Sequence, residues 1–318
     1  MALKLPVLLF LTLLLSACLA APQSAGLRTE LRQNVNASLS APVLLSQVPF
    51  FAQDLYQCGP AALATVLTAS GISVTPEQLV PLVYVPAREG SFQVEMVAAT
   101  RSLGRLAYRL TPTLEALLSE VAAGQPVLVL QNLSLKWYPR WHFAVVKGFD
   151  VQAGRIILNS GMIENYDMSL ATFERTWARA QHWAILTLSP GDMPVMGEPA
   201  AYFSALAAFE QNNASELAAS AYISGLQHWP SDINLRMGYG NLLYSQQLPS
   251  HAHEQFSALL LEHPDYAPAH NNLAQILLEQ GQGELALHHA QQAVALGGDY
   301  LLNYQSTLEA VEISLLPR

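Results

Sequence analysis

Ala218, Ala252 and Ala286 stand 34 residues apart, and the same interval separates Tyr222, Phe256 and Ala290, Pro230 and Pro264, and Gly240 and Ala274. A fixed period of this length means that one short supersecondary unit is copied along the chain, each copy burying its apolar face on the next. Small residues recurring at one place in every copy mark where two helices approach closely. The prolines fall where a copy ends, since proline cannot continue a helix. Residues 200–318 are therefore expected to form an all-α solenoid of three repeats closed by a final helix from about Tyr300. Ala, Leu, Gln, Asn and His dominate there, and no strand pattern is visible.

Upstream, SPGDMPVMGEP at residues 189–199 contains three prolines and two glycines and reads as a boundary, with a linker over 191–199. The 34-residue unit resembles the tetratricopeptide repeats, which implies a concave surface that takes an extended peptide or a protein partner. This part holds seven histidines, His251, His253, His288 and His289 among them. Neither close spacing sets two imidazoles on one helical face, and no acid or thiol recurs beside them. These histidines are expected on solvated helix faces, and no metal or other cofactor is implied.

The opposite end reads MALKLPVLLFLTLLLSAC, one basic residue followed by an apolar run from Leu5 to Leu15. That run is too short to cross a bilayer comfortably and reads as an export signal over residues 1–17. Leu15-Ser16-Ala17-Cys18 resembles the bacterial lipobox, which implies cleavage before Cys18 and acylation of its thiol, hence a membrane anchor. Leu19 in place of Asp at the next position resembles an outer-membrane address on the periplasmic side of a Gram-negative cell. An ordinary secretory signal is the alternative. Residues 18–44 would then be a tether. The net charge of −9 argues against a nucleic-acid partner.

Two cysteines cannot make a disulfide framework, and acylation of Cys18 leaves Cys58 as the sole thiol of an exported chain. A free cysteine is often a small buried apolar side chain. DLYQCGPAALATVL, residues 54–67, points elsewhere: Pro60 suits a first helical turn, and the alanines and apolar residues that follow have helical spacing up to Gly71. Cys58 is thus placed at a helix N-terminus, where unpaired N–H groups and the macrodipole favour thiolate over thiol.

A nucleophilic thiol needs a base, and only His142 and His182 lie in this half of the chain. His142 opens WHFAVVKGFD, which reads as a strand, followed by a turn at Gly148-Phe149-Asp150 and a second strand, RIILNSG. The hairpin returns Asn159 beside His142, where an amide can orient the imidazole. His182, between a helix-like stretch and the strand WAILTL, reads as a half-buried packing residue.

VPFFAQDLYQCGPAALATVL, WHFAVVKGFD, RIILNSG and TFERTW with its following apolar strand together resemble the C39 peptidases, papain-like cysteine enzymes, and their stand-alone C39-like relatives. The resemblance covers about residues 45–190. It implies an α+β papain-like domain in which Cys58 is the nucleophile, His142 the general base and Gln53 the side-chain donor of the oxyanion hole, acting on a peptide or protein substrate. Gln57 is the local rival of Gln53, but its adjacency to Cys58 points it away from the developing charge. Many members carry Asp-Pro where this chain has Asn159-Ser160, so Asp150 stays an alternative third member.

The remaining elements fit an α+β domain. Thr75-Pro76-Glu77-Gln78 reads as a capping box, and Thr111-Pro112 as a second helix start before LEALLSEVAAG, with Gly124 as its C-cap. PVLVLQNL reads as a buried strand. Residues 132–141 form a loop whose Trp137, Tyr138 and Trp141 either wall a substrate cleft or pack on the sheet edge.

Overall fold

The computed structural model describes residues 21–33, 37–52 and 57–316. Cys18, Gln53 and the expected export signal lie outside the described residues. The chain separates into two units: the described residues up to Ser189 together with Met193–Ala201, and Pro190–Asp192 together with the described residues from Tyr202 onward.

The first unit is α+β. Its strands β1 (Val43–Leu44), β2 (Leu106–Arg109), β3 (Val127–Asn132), β4 (Trp141–Asp150), β5 (Arg155–Ser160), β6 (Ile163–Ser169) and β7 (Ala184–Leu188) make one sheet in the order β2-β7-β3-β4-β5-β6. Every pairing is antiparallel. β3 pairs with β4 over residues 141–146, and β1 pairs with β4 at Gly148 and Phe149. All six residues of β3 are buried, as the continuous apolar run PVLVL requires, whereas β6 is an exposed edge.

Helix α2 (Cys58–Ala69) is the central helix. Every residue from Gly59 to Leu67 is buried, and Leu63, Val66 and Leu67 pack in one core with Leu128, Phe143 and Val145 of the sheet. Gly71, with φ +89°, follows its last turn, a backbone that a glycine adopts without strain. α3 (Pro76–Val83) begins with the expected capping box: the Thr75 N–H donates to Gln78 Oε1 at 2.9 Å. α4 (Gln93–Ser102) completes this layer.

Three sequence expectations are corrected here. Residues 22–32, expected within a tether, form helix α1 (Pro22–Arg32), which buries Leu27 and Ser24. Its first amides are held by Glu174 of α6 (Leu170–Ala178), whose carboxylate accepts from the Gln23 N–H at 2.9 Å and the Ser24 N–H at 2.8 Å. An acid supplied by another helix thus caps this N-terminus. The helix expected from Thr111-Pro112 starts later: α5 (Leu114–Ala122) is capped by Thr113, whose hydroxyl accepts from the Ala116 N–H at 3.1 Å. Gly148 and Phe149 lie inside β4, and the chain turns at 151–154.

From Tyr202 onward the described residues of the second unit are helical: the rest of α7 (Pro199–Glu210), then α8 (Ser215–His228), α9 (Ile233–Ser245), α10 (Pro249–Glu262), α11 (Ala267–Glu279), α12 (Gly283–Leu296) and α13 (Leu301–Ser314). α8, α10 and α12 begin at 215, 249 and 283, and α9, α11 and α13 at 233, 267 and 301, so both series step by 34. Ala218, Ala252 and Ala286 are fully buried. At Gly240 an added Cβ would lie 2.5 Å from the Phe256 ring, which is why that position stays small. No helix among the described residues is long and apolar enough to cross a membrane.

The histidines of this unit are not all on solvated faces. His270 of α11 is 7% exposed, and its Nδ1 lies 2.9 Å from Nδ1 of His289 on α12. His270 Nε2 lies 2.9 Å from the Pro264 carbonyl, which can only accept, so the proton sits on Nε2 and His289 donates to the bare Nδ1. Helix packing, which places α11 against α12, joins two side chains that sequence spacing keeps apart.

Candidate active site

Cys58 is the first residue of α2, half-buried, and follows Gln57 at the N-cap. Gly59 is obligatory beside it: a Cβ there would lie 2.2 Å from Ser91 Oγ and 2.6 Å from Ser91 Cβ. Burial pushes the Cys58 thiol up, and backbone groups of Phe143, Gly59 and Cys58 itself act against that shift. The expected effect of the helix terminus is therefore reversed in direction. Cys58 packs against the α2 core beside Phe51 and Phe143, and this enclosure is the largest cause of the shift.

The cleft at Cys58 is lined by Phe50, Phe51, Ala62, Phe143, Asn159 and Ser160 among others. Two buried polar side chains fasten the segment that brings in Phe50 and Phe51. Lys147 of β4, 1% exposed, donates from Nζ to the Val48 carbonyl at 3.3 Å, and Asn159 of β5 donates from Nδ2 to the Pro49 carbonyl at 2.9 Å. Consecutive carbonyls are thus held from two strands, and the Leu45 N–H adds a bond to the Lys147 carbonyl at 2.8 Å.

His142 stands near the start of β4. Its Nε2 lies 2.9 Å from Ser160 Oγ, and among the described residues Nδ1 has no hydrogen-bond partner. Burial, with the nearby Arg140 charge as the second cause, drives the imidazole down to about 4. No hydrogen bond joins the Cys58 sulfur to the ring among the described residues. Ser160 links them: it lines the cleft with Cys58 and touches His142.

Asn159, expected beside the imidazole, is committed elsewhere. Besides its bond to Pro49, its Oδ1 accepts from the Asn165 N–H at 3.4 Å, and it is paired across the strands with Val145. Asn159 lies opposite Val145, and past the register irregularity between Leu158 and Ser160 it is the Ser160 hydroxyl that reaches His142. Asp150 ends β4 and accepts the Ala153 N–H at 2.8 Å. Eight residue steps of strand separate it from His142, roughly 26 Å at the usual rise, so the structure does not bring the two together. His182 packs edge-to-face on Trp177 with ring centres 4.7 Å apart, as a packing residue does.

Trp137, Tyr138 and Trp141 do not pack on the sheet edge, because they are 81%, 71% and 54% exposed. The residue that sequence reasoning missed is Ser160. The dipeptide Asn159-Ser160 contains it, but only the strand register says which of the two faces His142.

Residues 45–185 match the Peptidase_C39 like family. Among the solved structures similar to the chain are two of this kind. One is a Bacillus anthracis protein assigned as a C39-like peptidase, 20% identical, with 47% of this chain and 98% of that one covered at a TM-score of 0.41. The other is a double glycine motif protease from an AMS/PCAT transporter, in complex with the leader peptide, 25% identical, with 46% and 95% covered at a TM-score of 0.33. No curated protein matches the chain.

Proposed function

We propose, from the match of residues 45–185 to the Peptidase_C39 like family, that the chain is a cysteine peptidase acting on peptides or proteins at the cell envelope. The observation that carries this reading is that Cys58, at the head of α2, and Ser160 line one cleft, while the Ser160 hydroxyl meets His142 at Nε2 rather than Nδ1.

In that reading substrate binding brings Nδ1 to the thiol, since catalytic hydrogen bonds tighten in the Michaelis complex. The Cys58 proton passes to Nδ1 as the sulfur attacks the scissile carbonyl carbon. Gln53 and the Cys58 backbone N–H hold the oxyanion, the C–N bond breaks, and the imidazolium returns its proton to the leaving amine. Water then hydrolyses the thioester with His142 as base. Ser160 takes the orienting role expected of Asn159. Acylation at Cys18 anchors the chain to the membrane, the outer one in a Gram-negative cell, and the tetratricopeptide-like repeats recruit substrate or a partner.

One observation favours a second reading, a non-catalytic peptide-binding lipoprotein: burial pushes the thiol up and the imidazole down, toward a neutral resting pair. Cleavage profiling of a peptide library separates the two. The wild-type chain is expected to cut, and Cys58→Ala and His142→Ala each to abolish cutting. Binding of library peptides without any Cys58-dependent product would sustain the second reading instead.

A further inference from the structure

Between β3 and β4, residues 133–140 hold apolar side chains out in water. Trp137 and Tyr138 are among the most exposed aromatic residues of the chain, with Leu133, Leu135 and Trp141 beside them. Met162 and Ile163, also exposed, follow β5 at the same end of the sheet, because the antiparallel pairing of Val145 with Asn159 brings the end of β5 to the start of β4.

This loop is built, not loose. The buried Asn132 side chain accepts from the Ser134 N–H at 3.0 Å and the Arg140 N–H at 2.9 Å, and donates to the Leu135 carbonyl at 3.3 Å. The Leu133 N–H donates to the Arg140 carbonyl at 2.9 Å, and Arg179 Nε to the Asn132 carbonyl at 3.1 Å. Five hydrogen bonds thus fix a display of apolar surface that water alone disfavours by about 25 cal/mol per Å².

Two features identify the occupant. Trp and Tyr carry an apolar body with a polar tip and favour the headgroup level of a bilayer. The charged residues of 133–141 are Lys136 and Arg140, both cations, in a chain whose net charge is −9. The second feature is where the first described helix begins. α1 is held at its first amides by Glu174, and the loop is held by Arg179 five residues along, about 7.5 Å of helical rise. The start of α1 at Pro22 is therefore tied to the same helix that holds this loop, and the apolar run from Leu5 to Leu15 precedes it in the sequence.

We infer that residues 133–141 are a membrane-docking element that seats on an anionic bilayer through Trp137, Tyr138 and Trp141, with Lys136 and Arg140 on lipid phosphates. The start of β4, and with it His142, then faces the membrane surface. The inference stands on the exposed loop and does not need the site to be catalytic.

The test is sedimentation of the chain from Leu19 onward with sucrose-loaded vesicles, either pure phosphatidylcholine or phosphatidylcholine with 30% phosphatidylglycerol. The expected result is at least tenfold tighter partition onto the anionic vesicles, with a blue shift of tryptophan emission. Trp137→Ala with Tyr138→Ala should weaken partition at least tenfold, and Lys136→Glu with Arg140→Glu should remove the preference for phosphatidylglycerol. Partition unchanged in both double variants overturns the inference. So does unchanged vesicle binding with a raised KM for soluble peptides, which would assign the loop to a peptide partner.

Discussion

Cys58 and His142 illustrate how burial and chemistry oppose each other at a single residue. A helix N-terminus stabilises a thiolate, yet enclosure of the sulfur raises its pKa, and enclosure of the imidazole lowers that of His142 to about 4. Both shifts favour the neutral forms, and on the peptidase reading substrate supplies the geometry that moves the proton. Ser160 and Asn159 then have separable roles. Ser160→Ala removes one neutral hydrogen bond to Nε2. It should lower kcat/KM about fivefold, the effect of roughly 1 kcal/mol, with little change in unfolding free energy. Asn159→Ala leaves the Pro49 carbonyl and the Asn165 N–H without their partner, and should cost about 1–3 kcal/mol in denaturant unfolding. Reversal of that pattern would return the orienting role to Asn159.

Elements are positioned by close approaches as much as by propensity. α2 can begin at Cys58 only because Gly59 lets the Ser91 side chain lie against the helix, closer than a methyl group permits. Gly59→Ala should destabilise the first unit by about 1–3 kcal/mol, the range for overpacking. Ser91→Gly added to it should restore most of the loss, because it removes both clashing atoms, whereas Ser91→Ala keeps the Cβ and should not. Thermal unfolding of the three variants decides this. α1 makes the complementary point, since its sequence has low hydropathy and only Leu27 and Ser24 buried, and its place depends on Glu174 from a distant helix. β6 was likewise invisible: an exposed edge strand has no buried alternation for a reader to find.

At the scale of the whole molecule each unit holds a histidine whose folded pKa is depressed to about 4: His142 by burial and Arg140, His289 by burial and by His270, His288 and His253. In the unfolded chain both titrate near 6.5, so between about pH 6.5 and 4 the unfolded state binds more protons. Stability should fall as the pH drops through that window, with no penalty from these groups above it. Denaturant midpoints at pH 7.5 and 4.5 should therefore differ, and His142→Gln and His289→Gln should each reduce the difference. Because the two residues lie in separate units, the two reductions should add. A pH dependence unchanged in both variants would refute the assignment.

The sequence by itself determined whatever repeats or is local. The 34-residue period set the helical unit and its small contact positions, the capping box at Thr75 set a helix start, and the apolar run 127–130 set a buried strand. It also singled out Cys58 and His142, because few residue types carry that chemistry and they were scarce. Only the tertiary structure decided which neighbour each site residue touches. A one-residue change of register exchanges Asn159 for Ser160 on the face of His142, and packing of α11 on α12 joins His270 to His289. Periodicity fixes what one element presents; pairing across elements depends on register and burial, which no single stretch of sequence contains.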